Sequence, residues 1–259
     1  DVMVKQALMK CEEEGCEVAF IRADDLEINN CTGCIACVIG MMSGRGRGYC
    51  VKHDDSEKCI SISFDAAWGA DDTIEILNTL DKYNVKATFF MTGGWVDSYP
   101  DMVKEICSRG HDLGNHSHNH KQMSKLSASE QKDEIMYVTD KVKELTGYNV
   151  FLFRPPYGDY NSTLINTVYG CNHYPIQWNI DSLDWRDYGV ENIIKTVTNH
   201  KALGNGSIIL MHNGAKYTAK ALGTVIETLQ SQGYTFIPIS EMIIRDNFHM
   251  DGTGRQIAD

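Results

Sequence analysis

Beyond residue 57 the apolar positions fall into short blocks that switch between two periods. Cys59 to Phe64 (CISISF) alternates apolar and polar and predicts a strand. Ile74, Ile76, Leu77 and Leu80 return to helical spacing. Val85 to Met91 (VKATFFM) predicts a second strand. Met102 to Ser108 reads as a helix with Gly110 as its stop. Glu130 to Leu145 is a longer helix, and Val150 to Phe153 and Ile208 to Met211 are strands. Leu222, Val225, Ile226 and Leu229 mark a helix closed by Gly233, and Tyr234 to Ile239 is a final strand. Strands alternating with helices predict parallel βαβ units in an open α/β sheet or a β/α barrel. The first 57 residues follow another pattern. Val4 to Glu14 reads as a short helix stopped by Gly15, and Glu17 to Arg22 as a short strand. Residues 31 to 50 form a Gly- and Ser-rich loop.

The length of 259 residues allows one barrel or about two ordinary domains. Hydrophobic residues at 42% and charged residues at 23% describe a globular chain able to bury a full core. The net charge of -11 argues against a nucleic-acid partner, which requires a basic footprint. No apolar run is long enough for a membrane span, and no basic-then-apolar export signal opens the chain. The chain starts at Asp1 rather than Met, which leaves room for an upstream piece. Seven of the nine cysteines fall in the first 59 residues, which suggests two pieces of different origin, residues 1–57 and 58–259.

Polar clusters follow directly on the predicted strands, where β/α folds carry their chemistry. Asp65 follows the first strand. Gly114 to His120 (GNHSHNH) holds His116, His118 and His120. Phe153 to Gly158 reads FRPPYG, Asp181 to Trp185 reads DSLDW, and Leu210 to His212 reads LMH. Closely spaced imidazoles beside carboxylates suit zinc or a similar divalent ion. Taken singly, each residue has an ordinary alternative. The histidines could belong to a surface loop, Asp65 or Asp184 could be a cap, Arg154 a surface cation and His212 a core histidine. The joint pattern separates these readings.

In order, SFD at 63–65, HSHNH at 116–120, RPPYG at 154–158, DSLDW at 181–185 and LMH at 210–212 resemble the five motifs of the polysaccharide deacetylases, the NodB-homology domain of carbohydrate esterase family 4. YNVKATFF at 83–90, GHDLGNHS at 110–117 and QGYTFIPISEM at 232–242 extend the likeness over residues 58 to 245. The resemblance implies a distorted (β/α) barrel and metal-dependent removal of acetyl groups from carbohydrate. It implies that His116 and His120 bind the metal, that Asp65 is the catalytic base and that Arg154 holds that base. It makes Tyr157 the donor of a backbone N–H to the oxyanion, and His212 the catalytic acid with Asp184 as its partner. Trp185 and Leu210 become apolar walls of the acetyl pocket. The expected partner is an acetylated amino-sugar polymer, peptidoglycan or chitin-like, and the expected cofactor is a divalent ion, Zn2+ by donor type. His118 matches no ligand position and is read as a neighbour.

One position departs from the family. Where its first motif carries a second aspartate as third metal ligand, this chain has Ala66, which cannot ligate. Asp72, or failing it Asp71, is the candidate to reach back to the metal. The alternative for Asp72 is a helix N-cap or first-turn acid.

DLEINNCTGCIACV followed by GYCVKHDD resembles part of the flavodoxin-like NADPH-dependent FMN reductases and iron–sulfur flavoproteins. The Gly-rich phosphate loop and later strands of that fold are missing, so FMN is not expected. Cys31, Cys34, Cys37 and Cys50 could hold an iron–sulfur cluster or zinc, or remain free thiols. Two further functional readings stand beside the hydrolase. One is a non-catalytic carbohydrate-binding relative, motivated by the altered first motif. The other is a redox protein run by the cysteine loop. Localisation is divided: the family suggests the cell wall or exterior, while the missing export signal and the thiol-rich leader suggest the cytoplasm. The sequence leaves the oligomeric state open.

Overall fold

The computed structural model describes residues 58–252 and 254–259. The flavodoxin-like reading and the candidate ligands Cys31, Cys34, Cys37 and Cys50 lie outside the described residues.

The described residues form a distorted α/β barrel. Eight strands make one parallel sheet: β1 (Lys58–Ala66), β2 (Thr88–Met91), β3 (Asp112–Asn115), β4 (Leu152–Phe153), β5 (Tyr174–Pro175), β6 (Ile180–Asp181), β7 (Ser207–His212) and β8 (Tyr234–Phe236). The pairing order is β5-β4-β3-β2-β1-β7-β6, with β8 alongside the start of β1. No ladder joins β5 to β6 among the described residues, so the barrel stays open. A small antiparallel hairpin, Phe248–Met250 with Gln256–Ala258, follows. Among the described residues no helix is long and apolar enough to cross a membrane.

The alternation in β1 explains the layering. Ile60, Ile62, Phe64 and Ala66 join the main core. The helices Thr73–Lys82, Pro100–Ser108, Ala128–Thr146, Val190–Thr198 and Thr218–Ser231 pack there through residues such as Leu77, Ile106, Val138, Val197 and Val225. Each such side chain, fully removed from water, contributes about 1.5–3 kcal/mol. Ser61, Ser63 and Asp65 take the opposite face, which is equally buried because it lines the barrel interior. There Phe90, Leu152, Ile176 and Ile239 form a smaller inner core. Gly114 in β3 makes room for it. A Cβ at Gly114 would sit 2.5 Å from the Phe90 ring, closer than atoms pack.

Register places the polar residues. In the β1–β7 ladder Asp65 stands opposite His212, and in the β2–β3 ladder Met91 stands opposite Asn115. Phe153 of β4 pairs with Asn115 of β3. Asp65, His116, Arg154 and His212 therefore all lie at the C-terminal edge of one sheet.

Candidate active site

Asp65 is 4% exposed, and its Oδ1 accepts a 2.7 Å bond from Arg154 Nη1. Arg154 is fully buried, with its guanidinium 4.1 Å above the Phe90 ring. Burial pushes the Asp65 carboxyl up, but the charge and hydrogen bond of the Arg154 guanidinium outweigh it and hold the pKa below the ordinary value. Asp65 is thus an ionised base at neutral pH. Its second oxygen, Oδ2, lies 3.4 Å from His116 Nε2.

That contact has no proton to fill it. His116 Nδ1 is 2.8 Å from the carbonyl of Arg154. A carbonyl only accepts, so Nδ1 carries the hydrogen and Nε2 presents a lone pair. Burial pushes the His116 pKa down to about 4, so a second proton is absent at neutral pH. A lone pair therefore faces an ionised carboxylate oxygen, and this pair of acceptors calls for a cation. His120 adds a second imidazole. Its ring centroid is 4.9 Å from that of His116, and burial holds its pKa below the ordinary value. Anchoring a histidine through the nitrogen that does not ligate is how metal-binding imidazoles are oriented. The donor set thus fits a divalent ion held by His116 and His120.

The histidine loop is fastened from below by the helix Ala128–Thr146, whose start is fixed by a Ser127–Glu130 capping box. Glu134 on that helix accepts from the N–H and side-chain amide of Asn119 at 2.7 and 2.9 Å. The Asn115 amide donates to the Ile135 carbonyl at 2.7 Å. His118 stacks on Tyr137 at 3.5 Å between centroids, turned away from a ligand role as expected.

Asp72 does not complete the metal set. Its Oδ1 accepts a 2.8 Å bond from the Gly214 N–H, and its electrostatic neighbours are Glu75 and Asp71 rather than histidines. It precedes the helix Thr73–Lys82 without capping it through its side chain. Asp71 is exposed. Among the described residues, no three His, Cys, Asp or Glu side chains are gathered as a metal-ligand set. The structure does not gather Asp72 or Asp71 with the two histidines, as the expected replacement for the ligand lost at Ala66 requires. The Gly214 backbone amide holds one oxygen of the Asp72 carboxylate, and the other is buried without a hydrogen-bond partner among the described residues.

On the other side of Asp65, His212 Nδ1 is 2.8 Å from Asp184 Oδ1. Asp184 is fully buried, and its Oδ2 also accepts from the His212 N–H at 2.7 Å and from Thr218 Oγ1 at 2.6 Å. Burial pulls the His212 pKa down, but the bond and charge of Asp184 outweigh it, and the pKa rises above the ordinary value. Asp184 therefore favours the protonated form of the His212 ring. Thr218 carried no signal in the sequence, because it reaches Asp184 only after the fold forms.

Tyr157 sits in the turn Pro156–Gly158 with φ 62°, its ring edge-on to His120 at 4.6 Å. Of eight non-glycine residues with positive φ among the described residues, Ser117, His120, Tyr157, Leu183 and Asp187 belong to loops at this edge. The other three are asparagines, which tolerate that conformation. Backbone strain is thus concentrated around the cleft. Leu210, 3% exposed, shares the face of His212 on β7. Trp185 is 45% exposed and borders the cleft rather than being sealed in it.

Residues 52–175 match the polysaccharide deacetylase family. The peptidoglycan deacetylase PdaC of Bacillus subtilis superposes with a TM-score of 0.67 at 32% identity, over 73% of this chain and 92% of that structure. The chain belongs to the polysaccharide deacetylase family. It is also 36% identical to the peptidoglycan-N-acetylglucosamine deacetylase PgdA of Listeria monocytogenes, over 72% of this chain but only 39% of PgdA. A pseudoenzyme of the same CE4 family from Bacillus anthracis superposes with a TM-score of 0.69 at 30% identity, covering 73% of this chain and 66% of that one. Nothing in these comparisons supports the flavodoxin-like reading of the first 55 residues.

Proposed function

We propose that the protein is a metal-dependent deacetylase of N-acetylated amino-sugar polymers, with peptidoglycan as the favoured substrate and acetate as a product. The observation that carries this is the pairing of a carboxylate base and a carboxylate-backed histidine across one ladder. Asp65 is held by Arg154 and His212 by Asp184, beside two neutral imidazoles. Carbohydrate binding alone needs no such acid–base pair.

A divalent ion held by His116 and His120, zinc by donor type, would polarise the acetyl carbonyl and acidify water. Asp65 Oδ2 takes the proton from the attacking water, and Arg154 keeps that carboxylate ionised and aimed. Tyr157, held in its tight turn, would offer its backbone N–H to the oxyanion. His212 Nε2 delivers a proton to the departing nitrogen, while Asp184 holds the ring through Nδ1. Leu210 walls the acetyl methyl. The substrate places this activity at the cell wall, outside the membrane.

A second reading has its own observation. Ala66 stands where the family places a metal ligand, the described residues gather no three-ligand set, and a relative is a pseudoenzyme. The chain would then bind glycan without cleaving it. Acetate release from peptidoglycan and acetylated chitooligosaccharide separates the two. The parent is expected to release acetate, to lose that activity with chelator and regain it with zinc, and Asp65→Asn to be inactive. Activity that resists chelation, or none with any divalent metal, would overturn the hydrolase.

A further inference from the structure

The loop that lost a metal ligand presents Trp68 instead. Trp68 is 52% exposed, with its ring 5.2 Å from that of His212. The backbone beneath it is tied down. The Gly69 carbonyl accepts from Trp95 Nε1 and from Asn213 Nδ2, each at 3.2 Å. Asp72 binds the Gly214 N–H. Gly214, at φ 79°, lets the two loops touch, since a Cβ there would lie 3.1 Å from Gly69 N and 3.4 Å from Trp68 Cβ. A large aromatic is thus held on a braced backbone while half its surface faces water.

Two recesses meet at this indole. One, of about 270 Å³, carries Asn119 and His120 and opens onto the candidate centre. The other, of about 280 Å³, carries Trp185, Asp187 and Lys216. Each is smaller than the pockets that enclose a compact ligand, usually about 300–1,000 Å³. Two shallow recesses divided by a flat aromatic ridge suit a chain of small units that crosses the ridge. A pyranose ring has an apolar C–H face that packs on an indole, and a hydroxyl rim that Asn119, Asp187 and Lys216 can meet.

We infer that Trp68 is a stacking platform for the sugar next to the acetylated one, so that the glycan crosses from the Asn119–His120 recess to the Trp185–Lys216 recess. The inference rests on the deacetylase reading for its ligand class. It makes affinity depend on chain length, because a single sugar occupies only one of the two recesses that the indole joins.

Calorimetry on the full chain with chelator present, using N-acetylglucosamine and tetra-N-acetylchitotetraose, tests it. The parent is expected to bind the tetramer at least about tenfold more tightly than the monomer, and Trp68→Ala to lose most of that ratio. Trp68→Phe should keep part of it. Tyr169→Ala, which removes another exposed aromatic, should keep all of it. Thermal midpoints matching the parent establish that the variants fold. A parent without chain-length preference, or a folded Trp68→Ala that retains it in full, overturns the platform. Trp68-dependent binding by a parent that releases no acetate would sink the hydrolase and leave the platform standing. Acetate release with an undiminished preference in Trp68→Ala would do the reverse.

Discussion

His111 and His116 flank the same short strand, β3, and burial pushes both down to about 4. They nevertheless serve opposite purposes, and the difference lies in which nitrogen the backbone claims. At His111, Nδ1 accepts a 3.2 Å bond from the Ala87 N–H, so its lone pair is consumed. Its Nε2 is sealed away, and the ring sits edge-on to Phe89. At His116 the Arg154 carbonyl takes the Nδ1 hydrogen, and the Nε2 lone pair is delivered to the cleft. With both rings buried and both pKa values lowered, one end of the strand carries a structural histidine and the other an open lone pair in the cleft. The tautomer, fixed by a single backbone group, decides between them.

The strongest way to break this comparison is to remove each ring. His116→Ala is expected to lower bound zinc and to cut acetate release by more than about 100-fold, since even outer-shell partners of a ligand are worth about 10–100-fold. His111→Phe should retain zinc and turnover, while orphaning the Ala87 N–H at about 1–3 kcal/mol in urea unfolding. Equal losses of activity in the two variants would erase the distinction.

Acid sharpens it. Unfolded histidines take up protons near pH 6.5, whereas the folded rings resist until about 4. The unfolded chain therefore binds more protons in that window. The stability each neutral ring contributes is present above 6.5 and is lost as the pH falls toward 4, by up to about 3 kcal/mol per ring. Urea titrations of metal-free protein should show the decline, and His111→Phe should make it shallower. An unchanged slope in that variant would contradict the burial argument.

A smaller effect is expected at the acid–base pair. His212 is the one buried imidazole of the cleft whose pKa is raised, and Asp184 is the cause that overcomes burial. In Asp184→Asn burial wins and the pKa falls. The protonated form then disappears at lower pH, and the alkaline limb of kcat should move in the acid direction. A limb that stays in place would remove His212 from the proton-donating role. Smallest of all, Asp72→Ala should leave zinc affinity unchanged and cost about 1 kcal/mol of stability through the lost Gly214 bond. A large drop in zinc affinity would return Asp72 to the metal.

Much of this arrangement was legible before the fold was known. β1, β2, β7 and the helices near 103, 138 and 225 follow from apolar spacing, and the chemical residues follow from their places after those strands. β3 is harder to see. Its sequence, DLGN, has no apolar run, because Gly114 yields its space to Phe90 and Asn115 is spent on the helix beneath. β5 and β6 span two residues each, too few for any period. The helices Ser162–Gly170 and Val190–Thr198 lie between the motifs, outside the elements that the sequence predicts. At the site, spacing supplies residue types but not their partners. Asp72 meets Gly214 across 142 positions, and Thr218 meets Asp184 across 34.

The placement of Asp65 opposite His212 has a further consequence. Alternate residues of a strand point to opposite sides, so a slip of β7 by a single residue would swing His212 out among the helices and bring Met211 or Asn213 opposite Asp65. On the proposed mechanism, proton delivery is therefore all-or-none with respect to strand alignment. A refolded population should divide into fully competent and inert molecules, and its specific activity would count the fraction that has found the native alignment.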